Sequence, residues 1–447
     1  MSVFEKLEDI ATGVIEKARR YGASESDVTI TTRSAVETTV RLGEVEKLEG
    51  AQMRGLQFRA LCGAKGTKTA SSSTSDLSPQ ALDKLIKETI ATAEASEEDP
   101  FAGLPESEDF APDYLRHNFA LDIFDPEVEH IPVEKKIQLA LAAEEAARQA
   151  DKRISNSDGA SFSDSAGVIV HANSRGFLGS YEGSHVSISV GVVASQDDEM
   201  QTGGWWASNR RFSNLEEAEA VGRKAAERAL RQLGSRKVKS QEVPVIFDPL
   251  MAGRLLAQFI GAASGAHIYR KSSFLVDKLG EVVASKGVTI IDDPLMAGKL
   301  GSHPFDSEGL ACKKRTIVEE GKLLTYLLSS YAARRLNTKP NSGSLGNLYL
   351  QAGDSSPEDL IGSVKNGLYL TSVSGPGFKV ITGDYSLGAS GIWIENGKLA
   401  YPVSGITIAS DMLSMFKNIE AIGNDLDFRS STSSPSIKIS KMTVAGQ

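Results

Sequence analysis

The sequence predicts an α+β fold, with an N-terminal domain of two helix–strands–helix halves, residues 1–234, and a β-rich C-terminal domain with a few helices, residues 243–447. The first observation is that apolar residues at helical spacing flank stretches of alternating polarity, and this order occurs twice in the N-terminal domain. The second is a dense series of glycines between short β-branched and aromatic runs towards the C-terminus, which is typical of strands joined by tight turns. The third is the polar stretch 234–242, which marks the boundary between the domains.

The first half of the N-terminal domain opens with an amphipathic helix over residues 3–18, and Gly22 follows its end. A second helix begins at Pro79, a residue favoured at the first helical position, and runs through Ile90. The acidic, proline-bearing segment 94–113 predicts an exposed connector. Between the two helices, alternating polarity predicts three strands, at residues 27–32, 36–40 and 55–61.

The second half repeats this order. A helix is predicted over residues 133–149, and a capping box from Ser213 to Glu216 predicts the start of another helix, which stops at Gly234. The strands between them are predicted at residues 161–172, 176–182 and 185–194.

The C-terminal domain begins with a strand at residues 243–247 that leads into a helix capped by Asp248. Ser356 caps a later helix, with proline and two acids in its first turn. The remaining chain is predicted to be strands and turns, mainly at residues 370–408 and 435–446.

The composition indicates an ordinary globular protein, with 40% hydrophobic and 24% charged residues. A formal net charge of −9 argues against nucleic acid as the main partner. No apolar run is long enough to predict a membrane span, and the N-terminus lacks the pattern of a signal peptide. The two cysteines, Cys62 and Cys312, have no metal or disulfide spacing, so we expect a reducing, cytoplasmic location.

An ordered series of short motifs carries a family resemblance. It comprises Tyr-Arg-Lys-Ser at 269–272, Asp-Ser-Glu-Gly at 306–309, the glycine-rich stretch 382–391 and Gly-Asn-Asp-Leu at 423–426. With this series the chain resembles the TldD/PmbA family, often labelled modulators of DNA gyrase, and within it the PmbA (TldE) branch. The net charge gives the gyrase label no support.

The metal-bearing branch of that family carries His-Glu-x-x-x-His on the helix before the Tyr-Arg-Lys-Ser segment. Two such histidines can share a zinc ion, and the glutamate can act as a general base on the zinc-bound water. The corresponding stretch here, residues 257–262, reads Ala-Gln-Phe-Ile-Gly-Ala, and residues 426–434 lack the cysteine that completes the site in the metal branch. We therefore expect no metal ligand and no catalytic residue in this chain, and a helix face that packs as core or interface.

The resemblance implies that this chain is the metal-free partner of a TldD-like paralogue with the His-Glu-x-x-x-His motif, with zinc on the partner chain only. Such pairs act as peptidases that degrade unfolded peptides or mature peptide antibiotic precursors, and this chain alone is expected to be inactive. The alternative is a homodimeric peptide-binding or scaffold protein without hydrolytic activity, which would bind peptides by strand addition. An independent hydrolase using Cys312 or a serine has no motif behind it.

Several residues are candidates for contact with substrate or partner. Trp205 and Trp206 follow two glycines on a predicted strand, where adjacent side chains point to opposite faces, so one of them is expected to be exposed or at an interface. Either they provide an apolar patch for a peptide or a partner, or one packs in the domain core and the other caps a loop. Arg270 lies in the Tyr-Arg-Lys-Ser segment, and Asp306, Glu308 and Asp384 match acidic positions of the family pattern, where they either contact substrate or fix turns. His267 is either a pocket residue or a helix-end histidine favoured by the dipole. Ser386 lies in a glycine-rich turn that either contacts the substrate backbone or only shapes the chain.

The histidines and cysteines give no local metal motif. None of the six histidines forms a ligand pair with another on one predicted element. Cys312 precedes Lys313, Lys314 and Arg315, and neighbouring cations can activate a thiol, but we expect both cysteines to be core residues.

Overall fold

The computed structural model describes residues 3–63, 66–117 and 121–446. In the N-terminal part it contains the helices α1 (Val3–Arg20), α2 (Pro79–Ala95), α3 (Asp113–Arg116), α4 (Val133–Gln149) and α5 (Ala218–Leu230). Its strands are β1 (Glu25–Arg41), β2 (Glu44–Cys62), β3 (Lys68–Thr74), β4 (Ile154–Asn173), β5 (Leu178–Gln196) and β6 (Glu199–Asn209).

These strands form one antiparallel sheet in the order β3-β2-β1-β4-β5-β6. The pairing of β1 with β4 joins the two halves, and helices of both halves pack on the same face of the sheet. Alternate residues of the central strands point at these helices, with Ile30 and Val170 below α1 and α2 and Val40 and Phe162 below α4 and α5. The predicted order of helices and strands is confirmed.

Two predicted strand breaks are wrong. Strand β1 runs without interruption through both segments predicted between residues 27 and 40, and β5 likewise covers 178–196. The other face of this sheet is partly open, so polar and small residues such as Arg33 and Gly183 lie on it without ending a strand.

The predicted capping box at Ser213 is also wrong. Helix α5 begins at Ala218, and residues Phe212–Asn214 form a separate 3₁₀ turn. The carboxylate of Glu216 accepts a hydrogen bond from Arg429 at 2.7 Å. Glu216 is therefore bound to a distant part of the chain and does not cap the helix.

The segment after α2 is not an exposed connector, because much of it is docked on the C-terminal part. Leu104 and Phe110 are buried. The guanidinium of Arg334 donates hydrogen bonds to the carbonyl oxygens of Phe101, Gly103 and Leu104 at 2.6, 2.8 and 3.2 Å. Proline and acidic residues indicated a loop correctly, but they could not indicate that a half-buried arginine of the C-terminal part holds it.

The C-terminal part contains the helices α6 (Pro249–Gly261), α7 (Gly265–Tyr269), α8 (Ser330–Arg335), α9 (Pro357–Gly362) and α10 (Met412–Lys417). Its strands are β7 (Gln241–Phe247), β8 (Ile290–Asp293), β9 (Arg315–Glu319), β10 (Lys322–Leu323), β11 (Asn347–Leu350), β12 (Asn366–Ser374), β13 (Asp384–Glu395), β14 (Lys398–Asp411), β15 (Ile419–Ile422), β16 (Thr432–Ser433) and β17 (Ile437–Ala445).

Two sheets enclose the C-terminal core, in the orders β10-β9-β8-β11-β16 and β14-β13-β12-β7-β17-β15, with β14 also pairing with β17. Helix α6 lies in this core, and its Phe259 ring stacks on Phe416 with 3.9 Å between centroids. Two predicted caps are confirmed: Asp248 accepts a hydrogen bond from the amide of Met251, and Ser356 forms a capping box with Asp359. The predicted α+β fold is thereby confirmed. No helix in the described ranges is long and apolar enough to cross a membrane.

Candidate functional site

A cavity of about 1040 Å³ lies between the N-terminal and C-terminal parts, and we call it the interdomain cleft. One wall is formed by β6 and the end of α5, and the other by the first turns of α6, by β12 and by the segment 425–434. A cleft of this size between two domains is a common place for ligand binding.

Glycine at position 203 allows α5 to reach the cleft. A Cβ atom on Gly203 would lie 2.2 Å from the backbone nitrogen of Ala229, far inside van der Waals contact. Because this position has no side chain, α5 packs directly on the edge strand β6, and Arg228, Arg231 and Gln232 line the cleft.

The opposite wall brings together helix α6 and the segment 425–434, the two segments compared above with the ligand positions that the resemblance implies. An added Cβ atom on Gly253 of α6 would lie 3.4 Å from the carbonyl oxygen of Thr432. Ala257, the first residue of the stretch compared with the zinc motif, lines the cleft, whereas Phe259 and Ile260 are buried in the core. Helix α6 thus contributes some of its side chains to the core and others to the wall of the cleft.

The residues at this place do not fit a zinc ion. The side chains of Ala257, Phe259 and Ala262 offer no donor atom, and Gln258 offers only a neutral amide. The nearby Asp425 uses both carboxylate oxygens to accept hydrogen bonds from the backbone and side chain of Ser436, at 2.8 and 2.7 Å. In the described part of the chain, no group of three or more His, Cys, Asp or Glu side chains is placed to hold a metal ion.

Oppositely charged side chains from the two walls of the cleft lie close together. The guanidinium of Arg228 lies 3.8 Å from the carboxylate of Asp248 and donates a hydrogen bond to the carbonyl oxygen of Thr371 at 3.2 Å. Burial lowers the pKa of Arg228, and the neighbouring Arg231 lowers it further. Burial also raises the pKa of Asp248, against the effect of its hydrogen bond from Met251 and of Arg228.

Both predicted tryptophans line the cleft, with ring centroids 5.6 Å apart. Two guanidinium groups lie over the ring of Trp205, with the Cζ atoms of Arg228 and Arg429 at 5.2 and 4.7 Å from the ring centroid. Such contacts are favourable cation–π interactions. Trp205 also packs against the core below α4 and α5, and it pairs with the buried Val190, whereas Trp206 pairs with Ser189 on the other face of the sheet.

The other candidate residues lie elsewhere. His267 contacts Ser272 beside α7, and Arg270 lies on the ring of Tyr269. Asp384 and Ser386 are exposed on β13, on the face that further along carries Ser390 into the cleft. None of these four residues lines the interdomain cleft.

Asp306 and Glu308 have structural contacts. Asp306 accepts hydrogen bonds from the amides of Glu308 and Leu310, so it fixes the turn. Glu308 accepts a hydrogen bond from the amide of Ser330 at 2.8 Å. Burial raises the pKa of both carboxyl groups.

A second cavity, of about 820 Å³, lies between the open face of the N-terminal sheet and the C-terminal part and is lined by His171, His185, His303 and Asp306. The sequence did not indicate that these histidines line one cavity, because they lie on different elements. Burial lowers the pKa of His171 to about 4. Cys312 and Cys62 are buried and free, and burial raises the pKa of Cys312 to about 12, whereas an activated thiol has a lowered pKa.

Sequence reasoning also missed the cationic residues of the interdomain cleft, Arg228, Arg231, Arg254 and Arg429. Arginines on helices and loops are usually surface residues, so nothing in the pattern separates these from the others. Only the packing of α5 on β6 brings them together.

Comparison with known proteins gives matches over nearly the whole chain. Models described as domain 1, the central domain and the C-terminal domain of PmbA/TldA metallopeptidases match residues 26–93, 126–233 and 240–446. The metalloprotease PmbA homologue of Haemophilus influenzae is 36% identical over 99% of this chain and 96% of its own length. The metalloprotease PmbA of Escherichia coli O157:H7 gives the same identity and coverage. A TldD homologue of Buchnera aphidicola is 25% identical over 65% of this chain and 65% of its own length.

Two solved structures resemble the fold along its full length. A Bacteroides thetaiotaomicron protein labelled as a modulator of DNA gyrase superposes with a TM-score of 0.93 at 28% identity, covering 100% of both chains. TldE from Thermococcus kodakarensis superposes with a TM-score of 0.84, covering 98% of this chain and 100% of its own. At 19% identity, the second similarity concerns the fold alone.

Proposed function

The chain belongs to the TldD/PmbA family of metallopeptidases, and we propose that it is the zinc-free subunit of a two-chain peptidase whose TldD-like paralogue holds the zinc. The observation that carries the proposal is the wall of the interdomain cleft, where helix α6 meets the segment 425–434. These are the two segments that, by resemblance, carry the zinc ligands in the metal branch. They are adjacent here, but their described side chains offer no set of three zinc ligands, which supports the proposal.

On this proposal the chain contributes binding and shape. Its cleft offers aromatic surface from Trp205 and Trp206, several guanidinium groups and the backbone of β6. Strand β6 is the last strand of the sheet, so one of its edges is unpaired among the described strands and can hydrogen-bond an extended peptide. The substrate class proposed is an unstructured peptide that is degraded or matured. The buried, free cysteines favour the cytoplasm as the location.

The second candidate function is a homodimeric peptide-binding or scaffold protein without hydrolytic activity. The same unpaired edge of β6 favours it, because strand addition needs no partner chain with zinc. The two candidates differ in whether a TldD-like chain is required.

Hydrolysis of an unstructured peptide separates them. The assay uses this chain alone, a TldD-like paralogue from the same genome alone, and the mixture, each with and without a chelator. We expect cleavage in the mixture only, abolished by the chelator and by substitution of the glutamate in the paralogue's His-Glu-x-x-x-His motif. Cleavage by this chain alone would contradict the proposal, and peptide binding without cleavage in any sample would favour the scaffold function.

A further inference from the structure

The cations of the interdomain cleft differ in whether a carboxylate neutralises them. Arg429 contacts Glu216 at 2.7 Å and Asp427 at 3.0 Å, and Lys224 contacts Glu227 at 2.9 Å. Arg228 faces Asp248, as described above.

Two cleft arginines have no such partner. Within the described residues, neither Arg231 nor Arg254 has a carboxylate within 4.0 Å. Arg254 donates one hydrogen bond, to the carbonyl oxygen of Val373 at 3.1 Å, and is otherwise exposed to the cleft. Asp248 interacts electrostatically with Arg231 without contacting it, so guanidinium groups that lack a carboxylate contact stand on both walls. They make this part of the cleft attractive to an anion.

Two polar atoms at the end of α5 are buried without a partner. The Nε atom of Arg231 and the Oε1 atom of Gln232 form no hydrogen bond within the described chain. Gln232 is only 9% exposed, and it lines the cleft, where its Nε2 atom donates to Thr371 at 3.4 Å. An unpaired buried donor or acceptor is unfavourable, so a ligand that accepts from one group and donates to the other would stabilise this site.

We propose that Arg231 and Gln232 form a subsite for a peptide carboxylate, in which the guanidinium binds the carboxylate and the Gln232 carbonyl accepts the adjacent peptide N–H. A residue at the C-terminus of a peptide carries both groups next to each other, and so does an aspartate or glutamate within a chain. Guanidinium is suited to this recognition because its parallel N–H groups match the two carboxylate oxygens. The subsite specifies the substrate class of the proposed function, since it selects peptides by their negative end or side chain.

The test measures binding to this chain alone, with no zinc-bearing partner present. One short unstructured peptide, fluorescently labelled at its N-terminus, is compared as the free acid, as the C-terminal amide, and as the amide with one glutamate inside the sequence. We expect at least one carboxylate form to bind about tenfold more tightly than the neutral amide, as for a charge-assisted hydrogen-bonded pair. The two carboxylate forms distinguish a C-terminal α-carboxylate from a side chain.

Variants assign the effect to the subsite. Arg231→Met should reduce the preference to about twofold or less, and Gln232→Glu should reverse it, because a second negative charge repels the ligand. The matched control is Arg223→Met, an exposed arginine on the same helix that lies outside the cleft. Equal binding of all three peptides, or a preference that survives in Arg231→Met, would overturn the proposal. Loss of the preference in Arg223→Met would do the same. Because no hydrolysis is measured, the result does not depend on a TldD-like partner.

Discussion

The guanidinium of Arg228 on α5 lies 3.8 Å from the carboxylate of Asp248, the N-cap of α6. One contact therefore joins the helix that forms the N-terminal wall of the cleft to the helix that forms its C-terminal wall. Both side chains are largely buried, at 16% and 6% exposure, so the contact fixes the relative position of the two walls in a place where water screens it little.

Substitution of Asp248 tests how its charge and its capping oxygen each contribute to the free energy of unfolding. Asp248→Asn keeps an oxygen for the Met251 amide and removes a charge whose burial raises the pKa, so we expect it to be at least as stable as the parent at pH 7. Asp248→Ala removes the cap and should lower the free energy of unfolding by about 1–2 kcal/mol. Denaturant unfolding of the three proteins provides the measurement.

The pH dependence has a defined direction. The pKa of Asp248 is higher in the folded protein than in the unfolded chain, so the folded state binds the proton first as the pH falls. The parent should therefore gain stability relative to Asp248→Asn between the folded pKa and the unfolded value near 3.9. A parent that loses stability relative to Asp248→Asn in this range would show that the Arg228 contact outweighs burial.

His171 should make the protein less stable in mild acid. Its pKa is lowered to about 4 by burial, whereas an unfolded histidine titrates near 6.5. The unfolded chain therefore binds a proton first as the pH falls, and this residue should contribute a loss of about 2 kcal/mol between pH 7 and pH 5. The measurement is the pH dependence of the free energy of unfolding in the parent and in His171→Gln, which should lose this component. The half-exposed His117 provides the control as His117→Gln, which should retain it.

Arg334 should hold the segment after α2 on the C-terminal part. Arg334→Ala removes the donor for the three carbonyl oxygens of Phe101, Gly103 and Leu104, at a cost of about 2–4 kcal/mol. We expect faster amide hydrogen exchange and proteolysis at residues 99–110, with the sheet unchanged. Arg334→Lys keeps the positive charge but loses the several N–H donors of the guanidinium, so its exchange and proteolysis rates should lie between those of the parent and Arg334→Ala. Lys313→Ala, at an exposed position, should resemble the parent. Unchanged hydrogen exchange at residues 99–110 in Arg334→Ala would show that the hydrogen bonds of Arg334 do not hold this segment.

Gly203 should be necessary for the shape of the cleft. In Gly203→Ala the new methyl group would overlap the backbone of Ala229, so α5 must move away from β6. We expect the free energy of unfolding to fall by about 1–3 kcal/mol, as for an overpacked contact, and peptide binding to weaken. Gly50→Ala is the control, because an added Cβ atom there contacts nothing within 4 Å. Parent-like peptide binding in Gly203→Ala would mean that the position of α5 does not determine the site.

The sequence predicted well what is determined locally. The bounds of α4 and the caps at Asp248 and Ser356 follow from periodicity and capping chemistry within a few residues, and the structure confirms them. The start of α5 was missed because Glu216 binds Arg429, a contact that no local pattern contains. The stretch 257–262, which the family resemblance singled out, lies at the end of α6, where Ala257 lines the cleft and Phe259 is buried.

The cleft itself could not be predicted from local patterns. Arg231 and Gln232 reach it only because α5 lies directly on Gly203, and this requires the full tertiary arrangement. Arg270 belongs to a family motif and His267 lies just before it, but in the structure both lie outside the cleft. A motif therefore identified the family without identifying which of its side chains face the cavity.

The most direct test of the central claim is the zinc content of the purified, tag-free chain, measured by elemental analysis after exposure to excess zinc and gel filtration. We predict far less than one zinc ion per isolated chain, and one zinc ion per complex once the TldD-like paralogue is added. One zinc ion bound per isolated chain would contradict the account, because it would place a metal site in the chain that the cleft residues do not provide.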